Sequence, residues 1–406
     1  MTTAIVIGAG IAGCTTAHAL AKRGVKVTLI ERHGKIAQEA SGNHIATLYP
    51  KISKNETPQS KLTLQGFSFT IDLLNRLPHS NQYFNACGQI QLAFDAREIA
   101  RQRTIVDQPN HLELQSLTAS QASDLAGIAL KTGGLFCANA GWVKPANFCA
   151  ALLNLPNIQL MTLTTALKIE KSAHSWLIKT ENKADLVADI VVICNSNDVK
   201  QFSVFQSAAV VAVRGQVNYF AQNSTSQAIK TIICGTHYCS PAVDGTHSIG
   251  ATYAPNDVNP HLNAIDTHSN LQALRHISPD IYAAILDKNL NGRVAWRSQT
   301  LDYLPLAGQL IDEENLRANP PRYNANPADL PWLKGLYVNA GHGSKGMITA
   351  PICGELIAQL ATNESNEIKS NDLLENFFEN SLISRLNPSR FLLKELGLKQ
   401  LATTLY

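Results

Sequence analysis

The sequence predicts an α/β fold of two interleaved parts, a parallel sheet sandwiched by helices and a separate antiparallel sheet, closed by a helical tail. Three observations predict it. The chain opens on a strand, a glycine-rich turn, a helix and a second strand. A second strand, glycine turn and helix unit recurs near residues 335–360. Between them, two strand-like runs meet at an Asp-Gly pair, the commonest short hairpin signal.

Residues 3–7 (TAIVI) have the apolar run of a buried strand, and Gly8-Ala9-Gly10-Ile11-Ala12-Gly13 follows. A helical stretch continues to Arg23, and a second strand over residues 25–30 ends in Glu31. In this order the residues make a dinucleotide-binding βαβ unit. Gly8 permits the tight turn, Gly10 lets the backbone approach a pyrophosphate, and Gly13 with Ala17 lets the helix pack against the sheet. The N–H groups at the helix start then face the phosphates. A carboxylate at Glu31 accepts hydrogen bonds from a ribose diol and repels a 2′-phosphate, which leaves FAD or NAD and disfavours NADP.

Two later segments favour FAD. Residues 189–194 (DIVVIC) are nearly all apolar, as a strand inside the same parallel sheet requires. Residues 335–360 supply another strand, turn and helix, whose N-terminus near Gly346 stabilises negative charge on a reduced flavin. Residues 238–243 and 247–253 read as a hairpin turning at Asp244-Gly245. Turn-rich stretches at 78–85, 255–261 and 319–331 mark boundaries. From residue 372 onward, apolar residues such as Leu373, Leu374, Phe377 and Phe378 alternate with charges at helical spacing.

At 406 residues, 45% hydrophobic and 16% charged, the chain is long and apolar enough for two domains with a large core. A net charge of +3 is too small to demand a nucleic-acid partner. The eight cysteines include no CxxC pair, which fits small core residues in a reducing cytoplasm. Gly8, Gly10, Gly13 and His18 interrupt the N-terminal apolar run, so neither a signal peptide nor a membrane span is expected. Cys234, His237 and Cys239 lack the spacing of a metal site and read as ordinary strand residues, so no metal is expected.

Several segments carry a family resemblance. They are the fingerprint itself, Ala40-Ser41-Gly42-Asn43 leading to Leu48-Tyr49-Pro50, Arg214-Gly215-Gln216, Thr300-Leu301-Asp302-Tyr303-Leu304-Pro305, Gly343-Ser344-Lys345-Gly346, and Leu386-Asn387-Pro388-Ser389-Arg390. Over nearly its whole length the chain resembles the D-amino-acid oxidase superfamily. Within that superfamily it is most similar to the FAD-dependent oxidoreductase half of the MnmC family, which modifies the wobble uridine of tRNA.

The resemblance implies a Rossmann-like FAD-binding domain at 1–84, 146–205 and 333–362. It implies a D-amino-acid oxidase-like, antiparallel-sheet substrate domain at 85–145 and 206–332, and a C-terminal helical tail at 363–406. In the family this half is fused to a methyltransferase half that uses S-adenosylmethionine. With its fingerprint beginning at Gly8, this chain is expected to perform the oxidative step alone, as a stand-alone homologue or an excised half, with a separate methyltransferase as a possible partner. That step removes the carboxymethyl group of 5-carboxymethylaminomethyl-(2-thio)uridine and leaves 5-aminomethyl-(2-thio)uridine and glyoxylate. The competing implication is a free amino-acid oxidase acting on sarcosine, glycine or a D-amino acid.

By the same resemblance, Ser41, Gly42 and Asn43 line the cofactor, as do Gly343, Ser344, Lys345 and Gly346. Two cations are candidates for the substrate carboxylate: Lys345, which matches a sarcosine oxidase lysine, and Arg297, which resembles the carboxylate-binding arginine of glycine oxidases. Ala295 stands about where sarcosine oxidases carry a flavin-linked cysteine, so FAD is expected to be noncovalent. Candidate phosphate contacts are Lys51, Lys54 and Lys61 after the SGN loop and Arg385, Arg390, Lys394 and Lys399 in the tail. Tyr49 is a candidate base-stacking residue or a core tyrosine, and His44 and His342 receive no role.

Overall fold

The structure is a computed structural model and describes residues 1–50, 52–106, 114–181, 183–363 and 380–404. Lys51, Leu373, Leu374, Phe377 and Phe378 lie outside the described residues.

Thr3–Ile7 is the hub of the nucleotide-binding part. It pairs in parallel with Lys26–Ile30 on one side and Ile190–Ile193 on the other. Ile158–Met161 and Trp332–Ala340 extend the parallel run, and Leu306–Ile311 closes one edge antiparallel. Strand side chains alternate between faces, so one strand feeds two cores. Ala4 and Val6 join the core built with the helices Ile11–Lys22 and Gly346–Asn363, whereas Ile5 and Ile7 join the core around Trp176, Phe202 and Phe205. Ile190–Ile193 is buried at every position, as a strand covered on both faces must be.

The Gly loop follows from these contacts. Gly8 has φ +102°, and a Cβ there would stand 2.9 Å from the Cys194 carbonyl oxygen. A Cβ on Gly13 would fall onto the Gly8 carbonyl. A larger residue at Gly8 would collide with the chain at the end of the neighbouring strand, and one at Gly13 would push the helix away from the turn.

The second sheet is organised by two long strands, Val210–Ala221 and Asn291–Thr300, which pair antiparallel along almost their whole length. Val210–Ala221 also pairs with Thr246–Gly250, which pairs in turn with Tyr238–Cys239. The hairpin turns at Asp244-Gly245, both with positive φ (49° and 73°), as a type I′ turn requires. Its second strand stops at Gly250 rather than reaching Tyr253, and Ala254–Pro255 pairs back onto Arg214 as a separate short strand.

Two features depart from a simple division. Ile232–Cys234 pairs in parallel with Gln89–Leu92 inside this otherwise antiparallel sheet. Parallel neighbours need a long crossover, and here the intervening chain builds much of the other part. Conversely, Leu306–Ile311 comes from the segment 206–332 expected on the substrate side yet joins the nucleotide-binding sheet.

The described tail is helical at Asn380–Leu386 and Arg390–Glu395. Leu392, Leu393, Leu398 and Leu401 form a core with Ile311, Leu316 and Leu330. A buried leucine contributes roughly 1.5–3 kcal/mol, so this segment is part of the folded body.

Candidate active site

One cavity of about 430 Å³ is lined by Gly8, Gly10, Ile11, Glu31, Ser41 and Asn43 from the fingerprint side. Arg297 and residues 341–347 line it as well, together with Tyr49 and residues 234–238. The structure thus gathers into one space most of the residues singled out in the sequence.

Glu31 is positioned by backbone. One carboxylate oxygen accepts from Ala9 N at 2.8 Å and the other from His33 N at 2.9 Å. Ser41 Oγ accepts from Ile11 N at 3.0 Å, so the SGN loop fixes the start of the helix that follows the glycines. The loop is itself clamped by Arg293, which donates to the Gln38 and Glu39 carbonyls and to Asn43 Oδ1 (3.1 Å). Arg293 has no signal in the local sequence, because its partners lie some 250 residues away.

Two residues expected at the cofactor do not line the cavity. Gly42 packs against the Arg293 guanidinium, where a Cβ would come within 2.7 Å of Nη2. Gly13 packs the helix onto the sheet. Both shape the cradle from behind.

Arg297 projects from Asn291–Thr300 into the cavity. It donates to the Thr252 carbonyl at 3.1 Å, and among the described residues it makes no ion pair. Burial holds its pKa below the ordinary arginine value, while the nearby Tyr238 and Tyr253 push the other way. A half-buried cation without an acid partner among the described residues is costly, and an anionic group in the space it faces would offset that cost. Gly215 makes the arrangement possible: a Cβ there would lie within 2.7 Å of the Arg297 guanidinium carbon. The second residue of the Arg214-Gly215-Gln216 motif is therefore the floor under Arg297.

Lys345 lies over the Tyr49 ring, with Nζ 3.4 Å from its centroid, and also donates to the Tyr49 carbonyl at 3.4 Å. Such a cation–π contact fixes the ammonium without neutralising it. Burial raises the Tyr49 hydroxyl well above the usual tyrosine range, and the half-buried ring lines the cavity as a platform for Lys345. Cys234 lines the same region, its thiol pushed up to about 12 by burial.

His342 is structural. Its Nε2 donates to Asn339 Oδ1 and its Nδ1 meets Thr349 Oγ1, each at 2.9 Å, and burial lowers its pKa to about 3. His44 contacts the Val243 carbonyl through Nε2 at 3.0 Å. Among the described residues no group of three or more His, Cys, Asp or Glu is arranged to hold a metal.

The tail arginine requires a correction. Arg390, expected among the phosphate contacts, is 1% exposed. It pairs bidentately with Asp302 (2.9 and 2.8 Å) and donates to the Leu304, Pro305, Leu386 and Asn387 carbonyls. Six hydrogen bonds leave it nothing for RNA, and the Leu386-Asn387-Pro388-Ser389-Arg390 segment is a clamp on residues 302–305. Lys61 pairs with Glu56 at 2.5 Å. Lys54, Arg385, Lys394 and Lys399 are exposed.

The family model described as FAD dependent oxidoreductase matches residues 3–360. The chain belongs to this family. As a flavin-dependent oxidoreductase it uses FAD, and the cavity fits that group: a Gly-rich turn closed against a sheet, an acid held at the end of the second strand, and a third strand and helix start opposite. Glu31, Gly8, Gly10, Ser41 and Asn43 would hold the dinucleotide portion, and the residues at 341–347 the ring.

The chain is 38% identical to the tRNA 5-methylaminomethyl-2-thiouridine biosynthesis bifunctional protein MnmC of Methylobacillus flagellatus over 401 residues, covering 98% of this chain and 60% of that protein. It is 40% identical to the protein of the same name from Pseudomonas syringae pv. syringae, covering 89% of this chain and 56% of the relative. The oxidoreductase thus spans somewhat over half the length of these curated relatives. Its fold resembles glycine oxidase from Geobacillus kaustophilus with a TM-score of 0.72, at 22% identity over 93% of this chain and 98% of that one. Among the described residues no helix is long and apolar enough to cross a membrane.

Proposed function

We propose that this oxidoreductase carries out the oxidative step of tRNA wobble-uridine modification. It removes the carboxymethyl group of 5-carboxymethylaminomethyl-(2-thio)uridine and yields 5-aminomethyl-(2-thio)uridine and glyoxylate. The observation that carries the reading is Arg297: a half-buried cation, with no acid partner among the described residues, facing the cofactor cavity of a chain 38% identical to an MnmC protein. The reacting part of this substrate is a secondary amine bearing an acetate, which offers one carboxylate to such a cation.

FAD, bound noncovalently, supplies the two-electron acceptor for the N–CH₂ bond. Arg297 and Lys345 fix the carboxylate, and the Tyr49 ring holds Lys345 in place. Positioning of this kind, rather than covalent chemistry, is what the chain contributes. The oxidised C=N bond is then hydrolysed, and oxygen takes the electrons. A separate methyltransferase would consume the aminomethyl product. We assign the reaction to the cytoplasm, where eight free cysteines and tRNA both belong.

The test is glyoxylate release by the purified holoprotein from tRNA carrying the carboxymethylaminomethyl group, set beside free sarcosine, glycine and D-alanine. Release from the tRNA with little from the free amino acids is expected. Efficient oxidation of a free amino acid and none of the tRNA would overturn the proposal in favour of an amino-acid oxidase.

A further inference from the structure

Beside the cavity, the turn at residues 301–304 is built in an unusual way. Tyr303 has φ +61°, a conformation that a bulky side chain rarely adopts and that persists only where surrounding structure enforces it. The enforcement is visible. Asp302 accepts both Arg390 bonds and a bond from Leu304 N at 3.2 Å, while Thr300 Oγ1 donates to the Leu304 carbonyl at 2.6 Å. A buried arginine from the tail is thus committed to a surface turn.

What the turn displays is apolar and aromatic: Leu301 is 67% exposed and Tyr303 57%. A third exposed side chain, Tyr253 at 49%, bonds through its hydroxyl to Gln299 Oε1 at 2.9 Å, at the base of the same turn. Gln299 bridges to His342 in the cavity wall, and Tyr253 is an electrostatic neighbour of Arg297. Tyr253 is thus tied through Gln299 to the wall of the cavity that holds the proposed carboxylate anchor, and the turn carrying Leu301 and Tyr303 follows Gln299 directly in the chain. The Tyr303 carbonyl accepts from Gln59 at 3.5 Å, which places the turn beside the start of the helix Pro58–Arg76, close in sequence to the exposed Lys54.

The geometry points to a stacking platform: Tyr303, with Leu301 and Tyr253, receives unstacked bases flanking the nucleotide that enters the cavity. This rests on the tRNA reading above and names the surface it uses. A rigid exposed ring suits this task because every base offers a π-face and single-stranded loops are recognised by stacking on aromatic residues. The clamp thus holds a positive-φ tyrosine whose side chain is more than half exposed.

The test is Tyr303→Gly, which removes the ring yet suits the positive φ and so keeps the fold, with Tyr303→Phe as the rescue. Three readouts are compared: binding of a labelled anticodon stem-loop RNA, glyoxylate release from modified tRNA, and oxidation of the free modified nucleoside. Tyr303→Gly should weaken stem-loop binding and raise the KM for tRNA by roughly 5-fold to 150-fold, the range for one base–aromatic stack. Turnover of the nucleoside should stay at the wild-type level, and Tyr303→Phe should restore tRNA binding.

Unchanged RNA binding overturns the platform, and if self-association is lost instead, the surface belongs to a protein contact. Equal losses on nucleoside and tRNA also overturn it, assigning the turn to the cavity itself. If the wild type oxidises no tRNA but binds the stem-loop in a Tyr303-dependent way, the platform stands and the proposed reaction falls.

Discussion

At the scale of single residues, the two cations of the cavity differ in how they are held. Arg297 rests on the backbone at Gly215 with one carbonyl bond, and Lys345 rests on a ring. Losing a hydrogen bond to a charged group costs about 1.5–3 kcal/mol, so Arg297→Met and Lys345→Met should each lower kcat/KM by roughly 10-fold to 150-fold. FAD content of Arg297→Met should stay near wild type, because Arg297 is assigned neither to the dinucleotide portion nor to the ring, and flavin absorbance read beside activity separates lost cofactor from lost chemistry in Lys345→Met. A double variant falling less than additively would show one clamp. Flavin reduction undiminished in both single variants would remove them from the reaction. Gly215→Ala makes a subtler test: the methyl group displaces the guanidinium without deleting it, so KM for the carboxylate substrate should rise about tenfold or more while the absorbance of bound flavin is unchanged. An unaltered KM would mean that the arginine does not need its floor.

At the scale of elements, Arg293 ties the strand Asn291–Thr300 to the loop at 38–43 and so joins the two sheets at the cofactor cradle. Arg293→Ala should release that loop and weaken FAD binding by about tenfold or more, since three hydrogen bonds from one charged group are lost. Flavin retention on dilution measures this, and wild-type retention would refute it. Sequence reading reached the elements built from local pattern. Thr3–Ile7 was expected at its observed bounds, Glu31 at the strand end, and the Asp244-Gly245 turn in its place, because strand periodicity, glycine sterics and turn chemistry are short-range. It did not reach Arg293, Gly215 or the burial of Arg390. The first two act through contacts across strands or across the chain, and the third looks in sequence like any solvent-facing tail arginine. Charge type is legible in a sequence, whereas the partner that absorbs the charge is not.

At the scale of the whole molecule, the described tail is held into the body by the Arg390–Asp302 pair and the leucine core beneath it. Arg390→Met deletes a buried cation's hydrogen bonds and leaves the partly exposed Asp302 unpaired, so it should destabilise by about 1.5–3 kcal/mol, read as a lower denaturation midpoint. Unchanged stability would dismiss the clamp. Burial pushes the Asp302 pKa up, but the Arg390 bonds and charge outweigh it and hold the carboxyl below its ordinary value. Its stabilising contribution is therefore full above the unfolded-state pKa of about 3.9 and disappears as pH falls through the lower folded-state value. The Arg390→Met variant should flatten that acid limb.

The solitary charge of Arg297 has a consequence for heat as well as for chemistry. A folded state that holds a half-buried cation with no counter-ion among the described residues has stability in reserve, available to any small anion able to enter. Acetate or glycolate, inert as electron donors here, should raise the melting temperature of the holoprotein in a saturable way, by an amount equivalent to about 2.7 kcal/mol at a hundred times the dissociation constant. Arg297→Met should melt at least as high as wild type without the anion and should ignore it when added. The melting curve would then report occupancy of the carboxylate site with no turnover at all.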